Sequence, residues 1–106
     1  PHNTFMTIKI SKQESEATLA LIGSLDTPAS ASAEQQIQPL MDGIIKSLDI
    51  DCSGLTYISS SGLRIMITLQ KHFMRIGGRL TLHTLQPDIR DVFEMTGFIN
   101  LFDIKD

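Results

Sequence analysis

Residues 57–63 read Tyr-Ile-Ser-Ser-Ser-Gly-Leu, and the consecutive hydroxyls of Ser59, Ser60 and Ser61 are the densest group of chemistry-capable side chains in the chain. A serine nucleophile needs a nearby general base, oxyanion donors and a turn such as Gly-x-Ser-x-Gly to present it. Ser60 has no glycine two residues before it. His72 falls about three helical turns beyond it, and His83 falls in a strand-like segment, so no spacing supplies a base. Hydrolytic chemistry is not expected. No Gly-x-x-x-x-Gly-Lys run is present to cradle a phosphate, and no metal-ligand cluster stands out. Neither cofactor nor metal is expected.

Two readings of the serines stay open. Ser60 or Ser61 caps the helix that begins here by accepting hydrogen bonds from its first N–H groups. A run of this length exceeds what one cap needs, however. A spare hydroxyl could accept a phosphoryl group, bringing about −1.5 to −2 charges to the positive end of the helix dipole. Asp26 and Asp51 are each expected at or near a strand end, on the same edge as the serine turn. There they serve as caps or turn formers, or join the serines in one site. Cys52 reads as a small buried apolar residue.

The elements that must position the turn follow from periodicity. Met6, Ile8 and Ile10 alternate with Thr7, Lys9 and Ser11, as in a strand with one wet face. After a polar break, Leu19, Leu21 and Leu25 sustain a second strand, and the pair is expected as an antiparallel hairpin. Asp26-Thr27-Pro28 is a helix start, with threonine as cap and proline at the first helical position. Ala29, Ala33, Ile37, Leu40, Met41 and Ile44 recur at helical spacing, with Pro39 to shorten the helix and Gly43 to end it. A third strand through Leu48 and Ile50 is expected to end near Asp51-Cys52, residues 53–58 then leading to the serine turn. Ser61 to about Ile76 reads as the second helix, stopped by Gly77-Gly78. Leu80 and Leu82 mark a fourth strand ending near Leu85. Pro87 opens a third helix that Gly97 closes, and Phe98–Phe102 should pack back onto the core. The order ββαβαβα predicts an α/β fold: a mixed sheet of four to five strands with helices packed on it.

Residues spaced about 100° apart around the second helix gather Arg64, Thr68, Lys71, His72 and Arg75 on one polar arc. The apolar residues cover roughly 200°, more than the stripe a helix needs to lie on a sheet. A neighbouring helix covers the surplus, or an apolar edge with a basic rim is left to dock a partner protein.

The 106 residues, 42% hydrophobic and 20% charged, suit one core-forming domain spanning 1–106. The net charge of −3 gives no global attraction to nucleic acid. The single cysteine cannot form an internal disulfide, and no run reaches the roughly 20 apolar residues of a membrane span. A soluble protein of a reducing compartment, cytoplasmic and a monomer or weak dimer, is expected. Met6 reads as the natural start, with 1–5 a remnant or disordered.

The run Asp51-Cys52-Ser53-Gly54-Leu55-Thr56-Tyr57-Ile58-Ser59-Ser60-Ser61-Gly62-Leu63 resembles the signature of the STAS domain family, of which sulfate transporters and anti-sigma factor antagonists are members. There the run is typically Asp-Leu-Ser-x-Val-x-Phe-Ile-Asp-Ser-Ser-Gly-Leu. Gly23-Ser24-Leu25-Asp26 and Met95-Thr96-Gly97-Phe98 extend the likeness. The resemblance implies a non-enzymatic anti-sigma factor antagonist. Its first matching serine, Ser60, would be phosphorylated by an ATP-binding, kinase-type anti-sigma factor and reset by a serine phosphatase. It also implies a partner surface that includes Asp26, Gly62, Leu63 and Arg64 beside the serines. The family aspartate before the phosphoserine is Ser59 here, so Ser59 and Ser61 stand as further candidates for modification. This departure also supports an alternative, a constitutive interaction subunit of a transporter or signalling complex.

Overall fold

The computed structural model describes residues 6–106, so the reading of 1–5 lies outside the described residues. Its strands are β1 (Thr7–Gln13), β2 (Glu16–Leu25), β3 (Ser47–Ile58), β4 (Arg79–His83) and β5 (Asp103–Lys105). Its helices are α1 (Thr27–Ile37), α2 (Ser60–Arg75) and α3 (Pro87–Thr96), with short 3-10 turns at Gln38–Met41 and Phe98–Leu101. The five strands form one sheet in sequence order. β1 runs antiparallel to β2, and the remaining neighbours are parallel. The expected α/β order is present, with β5 added after α3.

Strand alternation decides which face the helices cover. The register aligns Ile10, Leu19, Ile50, Leu82 and Ile104 across the sheet on one face. Leu19, Ile50 and Leu82 there are buried in the core with Leu69 and Phe73 of α2 and Phe93 of α3. The row Lys9, Ala20, Asp51, His83 and Lys105 lies on the other face, and none of these residues is buried. On that face His83 Nε2 lies 2.7 Å from Asp49 Oδ1. Among the described residues, helices cover the sheet on one side only, as expected when each strand alternates apolar with polar.

One expectation about the chain path is corrected. β3 does not end near Asp51-Cys52 but runs 12 residues to Ile58. Ser53-Gly54 resembles a turn, yet it lies within β3, where the pairing with β2 shifts register between Ala20 and Ile22 and again between Gly23 and Ser24. Such bulges let a long strand keep pairing while it bends. Gly54 leaves room for Ile22 there, since a Cβ would stand 3.1 Å from Ile22 Cγ1 and Ile22 would have to give way slightly. The apolar tail packs back as expected: Phe98–Leu101 is a 3-10 turn whose Phe98 and Ile99 lie against the core while Leu101 is exposed, and Phe102 enters the core edge-on to Phe93 at 5.6 Å.

α2 begins at Ser60, one residue earlier than expected, and its apolar arc is shared between two neighbours. Its inner residues Met66, Leu69 and Phe73 meet the sheet, and α1 packs beside it. Ile67 stays half-buried and Met74 is exposed, so part of the arc is open.

His72 is not on the solvent-facing polar arc. It is buried, edge-on to Phe73 at 5.0 Å, and its Nε2 has no hydrogen-bond partner. Burial lowers its pKa, Arg75 and Lys46 add to the shift, and Asp42 opposes it. The unfolded chain therefore takes up this proton more readily than the fold does. The stability linked to His72 is complete above the ordinary value of 6.5 and is lost as pH falls toward the lowered one. Thermal melts followed by circular dichroism should show Tm falling between about pH 7.5 and 5.5. His72→Leu should flatten that slope; an unchanged slope would rule out His72 as its source.

Candidate functional site

The serine turn is built on one backbone carbonyl. At the end of β2, Leu25 O accepts from the Ser59 backbone N–H at 2.9 Å and from the Ser59 hydroxyl at 3.0 Å. The same hydroxyl oxygen accepts from Gly62 N at 3.1 Å, and Ser59 O accepts from Leu63 N at 2.9 Å. Ser59 is thus the N-cap of α2, a role expected of Ser60 or Ser61, and it is buried. Its hydroxyl donates and accepts at once, which an ionised aspartate cannot do.

Gly62 lets the helix start approach so closely. A Cβ there would lie 2.8 Å from Leu25 Cγ and 2.9 Å from Ile58 Cγ1, both buried at the ends of β2 and β3. With Ser59 turned inward and Gly62 seated on the sheet, Ser60 is left exposed and Ser61 half-buried. No acidic residue lies in the first turn of α2.

Asp26 follows the pivotal Leu25 directly and caps α1, its Oδ1 accepting from Ala29 N at 2.9 Å. Its carbonyl accepts from both the N–H and the hydroxyl of Ser30. Asp26, rather than Thr27, is the cap. The structure therefore brings Asp26 together with Ser59, Ser60, Ser61, Gly62, Leu63 and Arg64 at one end of the sheet. Asp51 does not join them. It lies within β3 on the uncovered face, opposite Ala20 and His83, where its Oδ1 accepts from Ser53 N at 2.9 Å. That hydrogen bond is the main cause of its lowered pKa. Its placement near the turn depended on ending β3 too early. Cys52 is fully buried, and burial pushes its thiol up to about 12, so it stays protonated and inert.

Two concavities flank α2 at this end. A groove of about 400 Å³ is lined by Ser60, Leu63, Arg64, Ile67, Thr96 and Phe98. A second, of about 250 Å³, lies between α1 and α2 and includes Thr27, Glu34, Ser61, Arg64 and Thr68. Arg64 borders both. Ile67, Thr96 and Phe98 had not been assigned to the site, although the overwide apolar arc and the Met95-Thr96-Gly97-Phe98 run were their signals in the sequence. Among the described residues, no group of three or more His, Cys, Asp or Glu is placed to hold a metal ion. No helix there is long and apolar enough to cross a membrane.

A cap-locked serine turn between a mixed sheet and an open apolar groove defines a binding module more readily than a catalytic centre. The STAS domain family model matches residues 7–106, and the chain belongs to that family. A relative from Bordetella bronchiseptica, BtrV, named as a candidate anti-sigma factor antagonist, is 28% identical over 99 residues, covering 93% of this chain and 85% of its own. The crystal structure of an anti-sigma factor antagonist from Mycobacterium paratuberculosis superposes with a TM-score of 0.84 at 20% identity, over 95% of this chain and 86% of that one. The Bacillus cell fate determinant SpoIIAA in its phosphorylated form gives a TM-score of 0.74 at 19% identity, over 92% and 90%.

Two substitutions probe the lock. Ser59→Ala removes the cap and should cost about 1–2 kcal/mol. Gly62→Ala adds helix propensity of up to about 1 kcal/mol, yet the crowding against Leu25 and Ile58 should make it destabilising by about 1–3 kcal/mol net. Urea unfolding midpoints at fixed m-value test both, and a stabilised Gly62→Ala would refute the close-approach account.

Proposed function

We propose that this chain acts, as a single-domain module in the cytoplasm, as an anti-sigma factor antagonist whose binding is switched by phosphorylation of Ser60. One observation carries the assignment: of the three adjacent serines, only Ser60 is exposed, while Ser59 is committed to the cap and Ser61 is half-buried beside α1. The partner is an anti-sigma factor, in keeping with the name of the Bordetella relative, and in this proposal it is of the kinase type that binds ATP. The kinase transfers the γ-phosphoryl group of ATP to Ser60 Oγ; the O–P bond forms, the hydroxyl proton is lost and ADP leaves. A serine phosphatase reverses the modification by hydrolysis. The module supplies the acceptor and no general base, so it is a substrate and ligand rather than an enzyme.

The unphosphorylated form docks through the groove beside Ser60. Leu63, Ile67 and Phe98 provide apolar contact and Arg64 a basic rim. A dianion added at Ser60 raises the desolvation cost of closing that groove and repels an acidic partner rim. Sequestering the anti-sigma factor frees its sigma factor, so the module regulates transcription without touching nucleic acid. The departure at Ser59, which favoured a constitutive subunit, has a sufficient reason in the cap: serine fulfils it and leaves Ser60 free.

Incubation with the cognate kinase and ATP, followed by peptide mass spectrometry, should place phosphate on Ser60; phosphate elsewhere, or none, would overturn the assignment. Ser60→Asp should bind the unphosphorylated form's partner more weakly. Ile67→Asp, which leaves the acceptor intact, should weaken binding by about tenfold or more. Calorimetric titration measures both, and wild-type affinity for Ile67→Asp would exclude the groove as the docking surface.

A further inference from the structure

Arg64 is exposed at the mouth of the docking groove, and among the described residues it forms no ion pair; those present involve Lys12, His83 and Arg90. It lies four residues after Ser60 on α2, and the two residues line the same groove. Residues so spaced are one helical turn apart, about 6 Å along the axis, with Cβ atoms about 5–6 Å from each other. An anion preceding a cation at this spacing is the favourable order, and an anion on Ser60, the first residue of α2, also meets the positive end of the helix dipole. The guanidinium fork matches phosphate oxygens in a bidentate manner. Glu34 borders the neighbouring groove with Arg64 but is not paired with it, so no bond has to break for Arg64 to turn toward Ser60.

We propose that Arg64 is the in-chain counter-ion of a phosphate on Ser60, so that phosphorylation withdraws the cation from the groove rim as well as adding an anion. The inference rests on the assignment of Ser60 as the acceptor. In the unphosphorylated protein the groove mouth presents a free guanidinium to an acidic partner. After phosphorylation the pair carries a net charge of about −0.5 to −1, and the guanidinium is no longer free to bridge to a partner. The switch thereby removes an attraction and introduces a repulsion at the same place. No residue of the first turn of α2 contributes a competing negative charge beside such a phosphate.

The test uses the full chain with phosphoserine installed at position 60 by semisynthesis, so that it does not depend on any kinase. ³¹P NMR follows the second ionisation of the phosphate, ordinarily near pH 6. In the native sequence the midpoint should lie about half a pH unit below that of the Arg64→Gln phosphoprotein. Arg64→Lys should retain part of the difference. Phosphorylation should also raise Tm in the native sequence and raise it less in Arg64→Gln. Equal midpoints in the native and Arg64→Gln phosphoproteins would overturn the proposal. Failure of the kinase to modify Ser60 would instead overturn the acceptor assignment and leave this readout intact.

Discussion

The carbonyl oxygen of Leu25 receives both the backbone N–H and the hydroxyl of Ser59, and the rest of the site depends on that double acceptance. It ties the first turn of α2 to the end of β2, a strand distant in sequence, and satisfies polar groups that burial would otherwise leave unpaired. Gly62 permits the tie because its missing side chain is what Leu25 and Ile58 pack against. Since Asp26 caps α1 from the next position along the chain, the starts of α1 and α2 are fixed from two consecutive residues. Ser60 is presented to solvent because everything around it is held.

This division of labour among identical residues shows how a run of three serines could serve the proposed switch. Ser59 is consumed by the fold, Ser61 turns toward α1, and Ser60 lies at the mouth of the groove. Serine suits the cap because its hydroxyl both donates to Leu25 O and accepts from Gly62 N. An ionised aspartate could accept but not donate, and it would place a second negative charge beside the proposed phosphate. The departure from the family pattern therefore changes the electrostatics of the turn while preserving its architecture.

The one-sided sheet sets where other chemistry can occur. Helices bury one face, so the paired Asp49 and His83 and the nearby Asp51 lie on a polar face remote from the serine turn. His72 shows the opposite situation. A titratable ring has been taken into the core with an unpartnered nitrogen, which makes its neutral form part of the folded state.

Much of the fold was legible from one-dimensional pattern. Alternation of period two located β1, β2 and β4, helical spacing and the Gly77-Gly78 stop located α2, and Pro87 and Gly97 bracketed α3. The motif itself marked Ser60, and Asp26 was recognisable as a residue at a strand end. What pattern could not resolve were features set by partners distant in the chain. β3 continues through Ser53-Gly54 because β2 offers it a ladder with bulges, and the three-residue β5 exists because Phe102 anchors the tail against Phe93. His72 leaves the polar arc because its neighbours bury it, and the groove needs Thr96 and Phe98 brought to α2 from the end of α3 and just beyond it. Local sequence determined which side chains could act and which backbone they favoured, since periodicity, caps and turn residues act over a few positions. Tertiary structure alone decided which serine was committed to the cap and which was free, because that choice rests on the Leu25 carbonyl, 34 residues away.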